Sequence, residues 1–147
     1  MGQPEYIEHG DAEAAIIDIL KNHTSELDFV TGHPTVQADM VGYTVGARWV
    51  MVTQEGSLEG WPSIDHPRID VEVYAERRSV ARDIAAICLA SVKRAMGAYT
   101  GNGLFLSDVK LEQGLTRVPD KYQEAPRYVF AVRLTTVPRG TPLAPPS

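Results

Sequence analysis

The chain has 147 residues, 44% of them apolar and 22% charged, which supplies one hydrophobic core and not two. A net charge of −5 argues against tight binding to a phosphate backbone, which needs a dense basic face. No apolar run approaches the roughly 20 residues of a membrane span, and a single cysteine, Cys88, excludes an internal disulfide and a cysteine-rich zinc site.

The first ten residues carry Glu5, Glu8 and no basic side chain, unlike the n-region of a signal peptide, so the chain is expected to stay in the cytoplasm where it is made. Charge is unevenly spread. Residues 1–40 hold eight carboxylates against Lys21 alone, whereas the remainder has a small basic excess that includes Arg68, Arg77, Arg78, Arg82 and Arg94. A subunit with such asymmetry can meet a copy of itself head to tail.

After the leader, Asp11 is a suitable N-cap, and Ala12, Ala15, Ile16, Ile19 and Leu20 recur at helical spacing, predicting an amphipathic helix to about Lys21–His23. The short apolar piece Leu27–Thr31 is a candidate strand, closed by Gly32-His33-Pro34. Thr44–Thr53, with Val45, Trp49, Val50 and Val52, predicts a strand. Gln54–Pro67 then reads as a long polar loop carrying Trp61, a candidate partner-contacting anchor.

The clearest strand is Arg68–Ala75. Its strict alternation sends Ile69, Val71, Val73 and Ala75 to a core and leaves Arg68, Asp70, Glu72 and Tyr74 on a charged face, wet or paired with a neighbour. Ser79 is the expected cap of a helix from about Val80 to Met96, with Gly97 at its end. That helix is apolar over two rows, so either a strongly curved sheet or a second surface covers it; Arg82, Asp83, Lys93 and Arg94 make its polar side. Gly101-Asn102-Gly103 reads as a turn. Leu104–Glu112 and Arg127–Val137 predict an antiparallel pair, joined by a second long loop, Gln113–Pro126, with Pro119 and Tyr122. Pro138–Ser147 holds four prolines and is expected to be a flexible tail beyond a single domain at residues 1–137. The order of elements gives an α+β domain: a mixed, mainly antiparallel sheet with two helices packed on one face.

Catalytic signatures are weak. There is no P-loop, no Gly-x-Ser-x-Gly, no Cys-x-x-Cys and no His-Glu-x-x-His. None of the four histidines lies at helical spacing from another. Asp70 and Glu72 share a strand face and could hold a hard cation, but Tyr74 stands where a divided-carboxylate nuclease would place lysine. Cys88 sits in the apolar helix as a small hydrophobe. No catalytic residue, metal ligand or cofactor is assigned.

Pro67–Ala75, the helix beginning Ser79-Val80-Ala81-Arg82-Asp83-Ile84-Ala85, and Ala125–Thr136 together resemble the tail terminator (tail completion) proteins of long-tailed bacteriophages, in the form common among phages of actinobacteria. The resemblance covers about half the chain. It implies a non-catalytic virion protein at the head–tail junction, forming a homo-oligomeric ring, commonly a hexamer, on the last ring of the tail tube. Such a ring ends tube polymerisation and offers a docking surface to the head–neck connector, while DNA passes through without specific binding. On that reading the candidate subunit-interface residues are Arg68, Asp70, Glu72, Arg82, Lys93 and Arg94. Trp61, Pro119, Tyr122 and Arg127 are candidate contacts to tube or neck. The nearest alternative is another neck component, a stopper or head-completion protein; from a different class, it is a small metal-dependent nuclease or hydrolase built on Asp70 and Glu72.

Overall fold

A computed structural model describes residues 11–22, 33–59, 65–100, 104–118 and 127–138. They form two helices, α1 (Ala12–Asn22) and α2 (Arg78–Arg94), and five strands, β1 (Thr35–Gln37), β2 (Trp49–Glu59), β3 (Asp65–Tyr74), β4 (Leu104–Val118) and β5 (Arg127–Pro138). The strands make one sheet in the order β1-β2-β3-β5-β4, with β1 parallel to β2 and every other pair antiparallel. This is the expected α+β architecture, with the core between the helices and one sheet face.

Each helix has a local cause. The Asp11 carboxylate accepts the Ala14 N–H at 2.9 Å, occupying one of the donors a helix start leaves unpaired. Ala15, Ile16, Ile19 and Leu20 then turn one buried stripe to the sheet. The start of α2 differs from expectation. It begins at Arg78, its cap is Arg77 in extended backbone, and no side chain bonds the cap; the first helical bond runs from the Ala81 N–H to the Arg77 carbonyl at 3.0 Å. The helix ends at Arg94, two residues before the expected Met96, with Ala95 as its cap; Gly97, at φ +86°, lies beyond it and turns the chain toward β4, its N–H donating to the Leu106 carbonyl.

The wide apolar arc of α2 is used within the chain. Val80, Ala81, Ile84, Ala85, Cys88, Ser91 and Val92 are buried in the common core, and Ile87, Leu89 and Ala95 pack half-buried along its flanks. From the sheet, Val50, Val52, Ile69, Val71, Val73, Phe130, Val132 and Leu134 meet them. The alternation in Arg68–Ala75 sends Ile69, Val71, Val73 and Ala75 inward with no exposed surface.

Three boundaries move. Thr44–Arg48 is turn rather than strand, and β1 was not foreseen. The presumed loop Gln54–Pro67 is largely strand: Gln54–Glu59 continues β2, and Asp65–Pro67 opens β3. In the second presumed loop, Gln113–Val118 continues β4 against β5 as far as Val118↔Arg127. In the last of these stretches Gln113, Gly114, Thr116 and Arg117 are exposed, so burial imposes no alternation there and pairing with β5 holds the chain extended. Leu27–Thr31, Trp61, Pro119, Tyr122 and most of the proline-rich tail lie outside the described residues.

Candidate functional site

The sheet face away from the helices carries two built features. The first is a ladder of charges. Alternation along β3 places Arg68, Asp70, Glu72 and Tyr74 outward, and antiparallel pairing brings Arg127, Ala131 and Arg133 of β5 opposite Tyr74, Asp70 and Arg68. Arg127 donates to Glu72 at 2.9 Å and to the Tyr74 hydroxyl at 3.3 Å, and that hydroxyl in turn donates to Glu72 at 3.2 Å. Burial pushes the Tyr74 phenol up from its ordinary value, with the Arg127 contact opposing.

At the other end of β3, Arg68 reaches Asp70 at 3.0 Å and is raised by that bond. Pairing also sets Lys110, Arg133 and Arg68 directly opposite one another across β4, β5 and β3. Like charges in such positions repel. Glu112 answers them: its carboxylate accepts from Arg133 at 3.0 and 3.2 Å and stands 3.6 Å from Arg68. Two shallow hollows interrupt the ladder, one of about 260 Å³ between Asp70, Glu72, Gln113 and Arg127, the other of about 320 Å³ between His66, Asp108, Lys110 and Arg133.

The second feature is the connection from β1 to β2. Two parallel neighbours require a crossover, and here it passes over the open face without a helix. It consists of two consecutive β-turns, closed by Tyr43 N–H to the Met40 carbonyl at 3.0 Å and Ala47 N–H to the Thr44 carbonyl at 2.9 Å. Gly42 and Gly46 occupy their third positions at φ +93° and +94°, the pattern of type II turns. The Trp49 indole N–H donates to the Asp39 carbonyl at 2.9 Å, and the Tyr43 ring packs on Trp49 and Tyr74 at 5.8 and 5.3 Å. With Met40 and Met51 these rings form a small core separate from the main one.

Asp70 and Glu72, the carboxylates an acid-based enzyme would use, are each held by an arginine. No group of three or more histidine, cysteine or acidic side chains among the described residues is placed to hold a metal ion. Cys88 has no exposed surface, and burial pushes its thiol up to about 12, far from a nucleophile's range. No described helix is long and apolar enough to cross a membrane.

The six candidate interface residues do not form one surface. Arg68, Asp70 and Glu72 lie together on the open sheet face, whereas Arg82, Lys93 and Arg94 are exposed on α2, on the opposite side of the sheet. Arg127 opens β5 and is drawn into the ladder rather than carried on a loop. The crossover turns and Glu112 were missed. The signal for the former was present in the sequence as Val41-Gly42 and Val45-Gly46, a valine–glycine pair repeated after four residues.

No protein-family model and no curated protein matches the chain. Among solved structures, eleven chains match. One, from the virion of a native gene transfer agent particle, superposes with a TM-score of 0.62 at 13% identity, covering 85% of this chain and 93% of that one. The two share a fold over nearly their full lengths.

Proposed function

We propose that this chain is a structural subunit of a phage-type virion: a tail terminator that closes into a ring, a hexamer by analogy with the proteins it resembles, on the end of the tail tube. The observation that carries this reading is the near full-length fold likeness to a chain of a gene transfer agent virion. It agrees with the sequence resemblance in strand β3, helix α2 and strand β5. The ring would end tube growth and present a docking surface to the head–neck connector.

The open sheet face suits such a part. Its arginines are matched by Asp70, Glu72 and Glu112 within the chain, so it offers little free positive charge to a phosphate backbone passing nearby. Arg68, Asp70 and Glu72 would support subunit packing from that face, and Arg82, Lys93 and Arg94 from the solvent side of α2. Arg127, with Trp61, Pro119 and Tyr122, would lie toward tube or neck.

The test is mass in solution by light scattering, together with negative-stain images of the protein mixed with purified tail tubes. A ring, alone or on tube ends, with tubes that no longer elongate, is the expected result. A protein that stays monomeric at every concentration and leaves tube ends bare and growing rejects the terminator. Binding to the capsid portal side in preference to tube ends would instead support a stopper or head-completion role.

A further inference from the structure

The large apolar side chains left exposed among the described residues gather on the β1–β2 crossover and on and around β4. Val41 and Val45, 75% and 65% exposed, stand on the crossover beside β1. Met96 and Tyr99, 51% and 54% exposed, stand on the segment that leads from α2 into the opposite edge strand, β4, which itself exposes Leu111.

Both patches are held in place. Each valine is the second residue of a closed turn, and the Asp39 carboxylate fixes the first turn by accepting the Val41 N–H at 3.1 Å. At the other edge the Gly97 N–H donates to the Leu106 carbonyl and the Leu106 N–H to the Ala98 carbonyl, at 2.6 and 3.0 Å, while the Tyr99 ring rests 5.1 Å from Phe105. Ordering such surfaces costs little on binding, because folding has already fixed them.

The two patches are also complementary. One presents two small branched side chains beside exposed Asp39; the other presents a long and an aromatic side chain beside exposed Lys93 and Arg94. Two unlike patches on one subunit suit head-to-tail contact, the heterologous kind that closes into a ring or runs on as a filament.

We propose that Val41 and Val45 of one copy seat against Met96 and Tyr99 of the next. This deepens the ring reading and rests on it for closure, while the contact itself can be tested separately.

The test uses two double variants of the full chain, Val41→Asp/Val45→Asp and Met96→Asp/Tyr99→Asp. All four positions are exposed, so thermal unfolding of each variant is expected to stay near wild type. Light scattering should show the wild type assembled and each variant alone at the mass of one chain. An equimolar mixture should reach the mass of two chains and stop there, because each variant keeps the one patch the other lacks. A mixture that remains monomeric, or either variant assembling like the wild type, overturns this contact. Variants that form wild-type rings but no longer cap tail tubes would overturn it too, assigning the valines to the tube while leaving the ring reading intact. A wild type that neither assembles nor caps tubes removes the ring reading itself.

Discussion

Glu13, in the first turn of α1, accepts the backbone N–H of Gln54 on β2 at 2.9 Å. Strand β1 pairs with β2 only as far as Met51, so a helix side chain takes over where the sheet's own partner ends. Glu13→Ala should remove a charge-assisted bond and a favourable interaction with the helix N-terminus, costing about 0.5–2 kcal/mol. Glu13→Gln keeps an acceptor and should recover part of that. Hydrogen exchange at the Gln54 amide checks the cause: it should quicken in the alanine variant and much less in the glutamine variant.

Arg48 donates two bonds to Glu76, at 3.1 and 2.7 Å, and holds its carboxyl down from an ordinary 4.5 to about 2. Because the folded value is the lower one, the pair contributes fully above pH 4.5 and is lost as the pH falls toward about 2. Glu76 is more than a third exposed, so solvent screens the pair and its worth is about 0.2–1 kcal/mol. Denaturant unfolding of wild type and Glu76→Gln should differ by that amount above pH 4.5 and converge in acid. A difference that persists at the acid end would point to some other role for the glutamate.

Where burial and backbone period coincide, the sequence is readable. Ile69, Val71 and Val73 alternate because one face of β3 is dry, and Ile16, Ile19 and Leu20 repeat at helical spacing because α1 packs along one side. Glu112-Gln113-Gly114 carries no such pattern, since that part of β4 is exposed on both faces and is a strand only through β5. Asp70 and Glu72 could be placed on a charged face from alternation alone. That Arg127 would come to Glu72 could not, because 55 residues separate them and only the strand order joins them. Ser79 misled for a local reason: the chain turns into α2 two residues earlier, and the Arg77 carbonyl already accepts the first bond.

The crossover turns depend on two backbone positions. A Cβ at Gly46 would meet nothing within 4 Å, and one at Gly42 would meet Trp49 at 3.7 Å, an ordinary contact. Any cost of Gly42→Ala or Gly46→Ala is therefore conformational, about 1–2 kcal/mol each. Gly114 is the control: it has open space and no positive φ, so Gly114→Ala should be neutral or stabilise by about 0.4–1 kcal/mol. Equilibrium unfolding of the three variants should separate the pair from the control.

Cys88 offers a report on opening of the core. With its thiol buried and pushed up to about 12, native protein at mildly alkaline pH should resist alkylation by iodoacetamide, and denatured protein should react fully. Labelling should then proceed only through unfolding and should quicken in any variant that loosens α2 from the sheet. Rapid labelling of native wild type would contradict the packing of this helix.

Glu112 pairs with two of three cations set in one row, Arg133 and Arg68, with Lys110 the third. Glu112→Gln keeps the shape and a hydrogen-bond acceptor but removes the carboxylate paired with Arg133, leaving Asp70 and, at longer range, Glu55 to offset Arg68. The variant should melt a few degrees lower at low ionic strength. Added salt should close most of that gap, because repulsion between part-exposed charges is screened over about 10 Å at 0.1 M. Lys110→Gln in the same background should also restore the midpoint, by removing the cation that pairs directly opposite Arg133. A deficit insensitive to both salt and the second substitution would mean that Glu112 acts through its hydrogen bonds to Arg133 rather than through its charge.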